Sequence, residues 1–275
     1  LADGAHAFSA QATVGGQAGL LALPLSITID THAPVAPVIQ GYGYDSGVVG
    51  DGITHDATPT LTLTAEPGAT VTVTVTDAQG TVIYSGPAVE GAGLQAGVYS
   101  YTVPAALANG TYSFTATATD AAGNASGVSQ PQVITIDTVA PDAPVIAGFG
   151  TNSGSLYDTL TNDATPTLSV VVPGYDGTAV TVAIYRDGVL VGEAVATGTW
   201  TEVLSGGVWT YGQVYTYTST DLLDGTHVFT AVATDAAGNA SIASVPQSIT
   251  IDTAAPDAPV LQGFTTDSGV VGDGI

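Results

Sequence analysis

Aspartates recur in register along this chain of 275 residues. Asp30, Asp137 and Asp252 each close an alternating run, in Ile27-Thr-Ile-Asp30-Thr, Ile134-Thr-Ile-Asp137-Thr and Ile249-Thr-Ile-Asp252-Thr. Asp120 and Asp235 stand in two copies of Thr-Asp-Ala-Ala-Gly-Asn, and Asp56 and Asp163 open two copies of Asp-Ala-Thr-Pro. Asp142 and Asp257 lie between paired prolines, Pro141 and Pro144, Pro256 and Pro259. Short carboxylates with Asn, Gly and Pro around them suit a hard cation, which takes roughly six to eight oxygens from side chains and freed backbone carbonyls. Calcium is therefore the expected cofactor. The plainer reading is that Asp, Asn and Gly form turns and cap strands. Zinc and copper fit poorly, because cysteine is absent and His6, His32, His55 and His227 show no clustered spacing. No nucleophile–base order and no Glu pair stands out, so the chain is not expected to be an enzyme.

The elements that must hold these residues are strands. Thr70-Val-Thr-Val-Thr-Val-Thr76 alternates strictly, as a strand with one buried face does. Its counterpart, 179–185, behaves alike, and each run stops at a hairpin turn, Asp77-Ala-Gln-Gly80 or Asp187-Gly188. Further strands are predicted at 60–64, 81–85, 98–103, 111–119 and 132–136, then at 167–172, 189–194, 214–218, 226–234 and 247–251. No useful helical periodicity appears. Many short strands with turns between them predict an all-β protein of sandwich domains.

The steps from Asp30 to Asp137 and from Asp137 to Asp252, 107 and 115 residues, are domain-sized. Complete units are predicted at 31–137 and 138–252. Residues 1–30 read as the tail of a preceding unit: Leu1-Ala-Asp-Gly4 aligns with Leu107-Ala-Asn-Gly110 and Leu222-Leu-Asp-Gly225. Residues 253–275 read as the head of a following unit, since Asp267-Ser-Gly repeats Asp45-Ser-Gly. The chain thus reads as a slice of something longer. The second unit is longer at 194–213, where Trp200, Trp209 and Tyr211 are predicted to form an extra hairpin. That stretch is either an aromatic platform for a glycan or partner, or one more hydrophobic hairpin packed on the sandwich.

Charge narrows the partners. Arg186 is the sole Lys or Arg against 24 acids, a formal −23. Phosphate binding needs cations, so nucleic acid is excluded and anionic membrane disfavoured. No apolar segment is long enough to span a bilayer, so membrane insertion is not expected. A unit at this charge repels itself unless cations condense on it.

The combined phrases Leu-x-Asp/Asn-Gly-Thr-Tyr/His-x-Phe, Ala-Thr-Asp-Ala-Ala-Gly-Asn, Ile-Thr-Ile-Asp-Thr-x-Ala-Pro-Asp-Ala-Pro and Asp-Ala-Thr-Pro-Thr-Leu resemble the bacterial immunoglobulin-like repeats of giant adhesins. Those are the tandem domains of biofilm-associated and ice-binding RTX adhesins exported by type I secretion. The resemblance covers essentially the whole chain. It implies extracellular immunoglobulin-like β-sandwich domains in a linear array, packed against neighbouring repeats, with calcium at or near the joints and a spacer or stalk role in adhesion. Carried over to this chain, it implies Asp120, Asp137, Asp142 and Asp163 as ligands at the middle joint and Asp235, Asp252 and Asp257 at the next, with Asp30 and Asp56 as their first-unit counterparts. If adjacent strands run antiparallel, Asp120 need not sit beside Asp137; it would more easily meet the start of its own unit near Asp30 and Val35, or the loop before the second strand, and the sequence leaves that pairing open. The first joint departs from the pattern: Val14 and Val35 stand where aspartates stand elsewhere, so weaker calcium binding is expected at 30–37. Two alternatives remain: a glycan- or partner-binding module using Trp200, Trp209 and Tyr211, and a subunit of a self-assembling extracellular filament.

Overall fold

The computed structural model describes residues 1–91, 95–150, 153, 158–174 and 180–260. Of the predicted head at 253–275, residues 261–275 lie outside the described residues, as do Asn152 and Ala179. Every regular element among them is a strand. Contacts divide the chain into two compact units. The first is Leu1–Asp142 with Gly174–Thr181 and Ala233–Ile242; the second takes Ala143–Pro173, Val182–Val232 and the chain from Ala243.

The first repeat folds as two sheets facing each other. One orders the strands Val89–Glu90, Val98–Thr102, Thr60–Thr64 and Val38–Gly43; the other orders Ile53–Thr54, Gln132–Ile136, Gly110–Thr119, Thr70–Asp77 and Val82–Pro87. The alternation explains the packing. Val71, Val73 and Val75 are buried while Thr72, Thr74 and Thr76 face outward, as β-branched residues on a half-buried strand should. They meet Leu61, Leu63, Tyr99, Phe114, Ile134 and Ile136 in one core. Asp77 Oδ1 accepts the Gln79 and Thr81 N–H groups and closes the predicted hairpin turn.

In the second repeat the strands form one eight-stranded sheet: Val145–Phe149, Thr167–Pro173, Val208–Thr218, Val189–Ser205, Thr181–Arg186, Gly225–Thr234, Gln247–Ile251 and Leu160–Thr161. The join is the long strand Val189–Ser205. Its first part pairs Thr181–Arg186 as far as Ala194, and from Val195 it pairs Val208–Thr218. In the first repeat this path is split between Val82–Pro87 and Val89–Glu90. The sequence predicts separate strands at 189–194 and 214–218 with an extra hairpin between them. The structure forms that hairpin by lengthening both strands, which meet at a Gly206-Gly207 turn whose two residues hold positive φ. The predicted Asp187-Gly188 turn also has positive φ at both positions, as a two-residue hairpin requires.

Gly4–Phe8 pairs Leu25–Ile29 with Gly4 opposite Ile29, the register of Gly110 opposite Ile136 and Gly225 opposite Ile251. The same strand pair is thus present three times, and in the first copy its side chains are largely exposed.

Candidate cation-binding junctions

The Thr-Asp-Ala-Ala-Gly-Asn loop is built around its aspartate. Asp120 Oδ1 accepts the N–H groups of Ala122 and Asn124, both at 2.9 Å, and Gly123 takes φ 94° to let the chain turn back. The Asn124 Nδ2 amide donates to Asp120 Oδ2 at 2.8 Å and to the Asp30 carbonyl at 3.1 Å. One side chain therefore ties the loop to the start of its own repeat. The second copy repeats the arrangement: Asn239 Nδ2 donates to Asp235 Oδ2 at 3.0 Å and to the Asp137 carbonyl at 2.9 Å. The Asn124 amide, with backbone N–H groups behind it, holds the Asp120 carboxyl below the ordinary carboxylate value.

This decides the open pairing and corrects the grouping carried over from the resemblance. The Asp120 loop lies by Asp30, and the Asp235 loop by Asp137, because each loop returns to the aspartate just before its own repeat. Val14, the counterpart of Asp120, then has no bearing on the junction at Asp30. That junction is not poor in carboxylates: Asp3, Asp30 and His32 bring ligand atoms within 4.8 Å of one another, the one such group of three among the described residues. Thr31 Oγ1 donates to Asp3 Oδ1 at 3.0 Å, the His32 ring contacts Asp3 Oδ2, and these contacts hold the Asp3 carboxyl low. The two carboxylates suit a hard cation that takes oxygen, whereas the His32 imidazole is a donor for zinc or another transition metal and would stand outside a calcium site.

Asp3 marks a position the aspartate pattern passes over. Its counterparts in the Leu-x-Asp/Asn-Gly turn are Asn109 and Asp224. Asn109 Nδ2 donates to Asp137 Oδ1 at 3.1 Å, while its Oδ1 accepts from the Thr138 hydroxyl at 2.8 Å and the Thr138 N–H at 3.1 Å. Asp224 Oδ1 takes the same two bonds from Thr253. The signal lay in the threefold alignment of this turn. Asp137, Asp252 and Asp30 each also accept the N–H two residues on. Asp56 and Asp163 close their own turns, each accepting the N–H and hydroxyl of Thr58 or Thr165. Asp142 is exposed, and a Cβ added at Gly174 would lie 3.0 Å from its Oδ2. Asp257 is exposed.

With the sandwich, the repeat register and the loop geometry in place, the family follows from comparison. The model of the bacterial Ig-like domain matches residues 34–138 and 141–253. The chain belongs to the bacterial Ig-like domain family. No curated protein sequence matches this Ig-like chain. One similar solved structure comes from work titled "Structural insight into host cell surface retention of a 1.5-MDa bacterial ice-binding adhesin"; it is 19% identical, with 91% of this chain and 74% of that chain covered and a TM-score of 0.32. At that score the likeness adds nothing to the family assignment.

Proposed function

We propose that these tandem Ig-like domains are a stalk segment of a secreted bacterial cell-surface adhesin, stiffened by calcium at the junctions between repeats and serving adhesion and biofilm formation. The supporting observation is the return of each Thr-Asp-Ala-Ala-Gly-Asn loop to the aspartate that opens its repeat, Asn124 to Asp30 and Asn239 to Asp137. The loop's Asn side chain returns to the backbone carbonyl of the aspartate just before its repeat, next to the Leu-x-Asp/Asn-Gly turn. Asp3, Asp30 and Asp120 are the ligands at the first junction, Asp137, Asp142 and Asp235 at the second, and Asp224, Asp252 and Asp257 at the third; Asp56 and Asp163 support the adjoining turns. Calcium cancels the repulsion among these groups and couples neighbouring domains. Extracellular calcium modules bind at roughly 0.1–1 mM, so the rod is loose inside the cell and firm outside. Its partners are neighbouring repeats and a surface ligand, and it carries out no catalysis. Isothermal calorimetry of the chain with calcium tests this reading: binding at millimolar affinity supports it, and no heat above dilution rejects it.

The aromatic hairpin favours a second reading. Trp209 and Tyr211 are 68% and 62% exposed and Trp200 is 47% exposed, whereas Val203 beside them is buried. Cross-strand pairing places Glu202 opposite Tyr211 and Leu204 opposite Trp209. Flat rings around a carboxylate suit the apolar face and hydroxyls of a neutral glycan. Glycan-array binding that Trp209→Ala abolishes would support this role; an empty array would reject it.

A further inference from the structure

The segment 44–55 has a partner that the aspartate pattern does not foretell, inside the first compact unit. The Val48 N–H donates to the Ala236 carbonyl at 3.0 Å. The Ser46 hydroxyl donates to the Ala237 carbonyl at 2.5 Å, and His55 Nδ1 lies 2.9 Å from that same oxygen, so the ring carries its proton there. Gly47 and Gly238 meet backbone to backbone. A Cβ on Gly47 would fall 2.0 Å from the Ala236 oxygen, and one on Gly238 would fall 2.9 Å from the Gly47 nitrogen. The receiving side is ordered beforehand: Ser46 Oγ accepts the His55 N–H at 2.9 Å, and the His55 ring packs against Tyr44 at 5.4 Å between centroids. Asp235 is only 7% exposed, and Ala236 and Ala237 are buried, while Ala121 and Ala122 of the sister loop are exposed. No carboxylate takes part in these bonds.

We propose that Ser46–Val48 and His55 form a socket whose partner is the Ala236–Gly238 turn, and that this latch holds the Asp137 junction whether or not calcium occupies it. Two amides assist it. Asn239 ties the loop to the Asp137 carbonyl, and Asn109 presents an N–H to the Asp137 carboxylate where Asp3 presents a second carboxylate to the Asp30 site. The inference goes beyond the calcium reading, because it gives the Asp137 junction a hold that survives removal of the ion, whereas the Asp30 junction depends on it. Fusing the turn to the first unit in this way makes Asp235–Asn239 open together with Ser46–Val48.

Amide hydrogen exchange on the whole chain tests it. In EDTA, the wild-type amides of Val48 and residues 235–239 should exchange within about twofold of their rate in calcium. Gly238→Ala should speed both segments by roughly tenfold or more, while the Gly110–Thr119 strand stays protected. Gly123→Ala is the control: its φ of 94° is as demanding as the 84° of Gly238, but an added Cβ meets nothing within 4 Å. It should leave both segments unchanged. If Gly238→Ala unprotects the Gly110–Thr119 strand, Ser46→Ala is read in the same way. The proposal is overturned if EDTA alone opens the two segments, or if the socket variant leaves Val48 protected.

Discussion

Asn109 is the residue at which the junctions diverge. Its amide satisfies a carboxylate that Asp3 would repel from the equivalent place. Replacing Asn109 with Asp sets two carboxylates together at the Asp137 site and should cost about 1 kcal/mol in EDTA, since partly exposed charges interact modestly. That corresponds to a fall of about 4–8 °C in the melting of a domain this size. Calcium at millimolar concentration should restore the loss, and calorimetric melting with and without the ion measures both. Asp120 carries a separate expectation. Its carboxyl is held below the ordinary carboxylate value by Asn124 and the loop N–H groups, so the folded form keeps its charge to lower pH than the unfolded form. Its stabilising contribution is complete above the unfolded pKa and is lost as pH falls through the lowered folded value. Asp120→Asn should therefore flatten the acid limb of stability below about pH 4, as read from denaturant midpoints across pH. An acid limb unchanged by the substitution would remove Asp120 from the account.

At the scale of elements, strict alternation made the strands legible. Thr70–Asp77 and Gly110–Thr119 come out within a residue of their predicted limits, because one face must be buried and the period is two. The short pairing of Ile53–Thr54 with Gln132–Ile136 was not legible, since two residues carry no period. Nor was the continuity of Val189–Ser205, because its pattern changes where it passes from one partner to the next. Among candidate site residues, their register could be read and their partners could not. Asp120 and Asp30 are 90 residues apart in sequence, and only the course of the strands brings Asn124 to Asp30. The Ser46–Ala237 contact was wholly hidden, because it runs through backbone carbonyls that any residue supplies. Core and hairpin should respond differently to truncation. Phe229→Ala, in a fully buried position, should cost about 3–5 kcal/mol. Trp209→Ala and Tyr211→Ala should change stability by no more than about 0.5 kcal/mol. Chemical denaturation compares the three, and a large loss at Trp209 would mean its ring supports the sandwich after all.

For the molecule as a whole, the dominant fact is a formal charge of −23 with Arg186 as the lone Lys or Arg. The backbone pairing and the cores are ordinary for sandwich domains, so what sets this chain apart is repulsion that must be met by counter-ions or by amides. The most direct measurement is thermal unfolding of the chain in about 5 mM calcium against EDTA at matched ionic strength. With a dissociation constant of roughly 0.1–1 mM at a junction, calcium should add about 1–2 kcal/mol and raise the midpoint by several degrees. Identical melting curves in calcium and in EDTA would contradict the claim that the junction aspartates hold the ion.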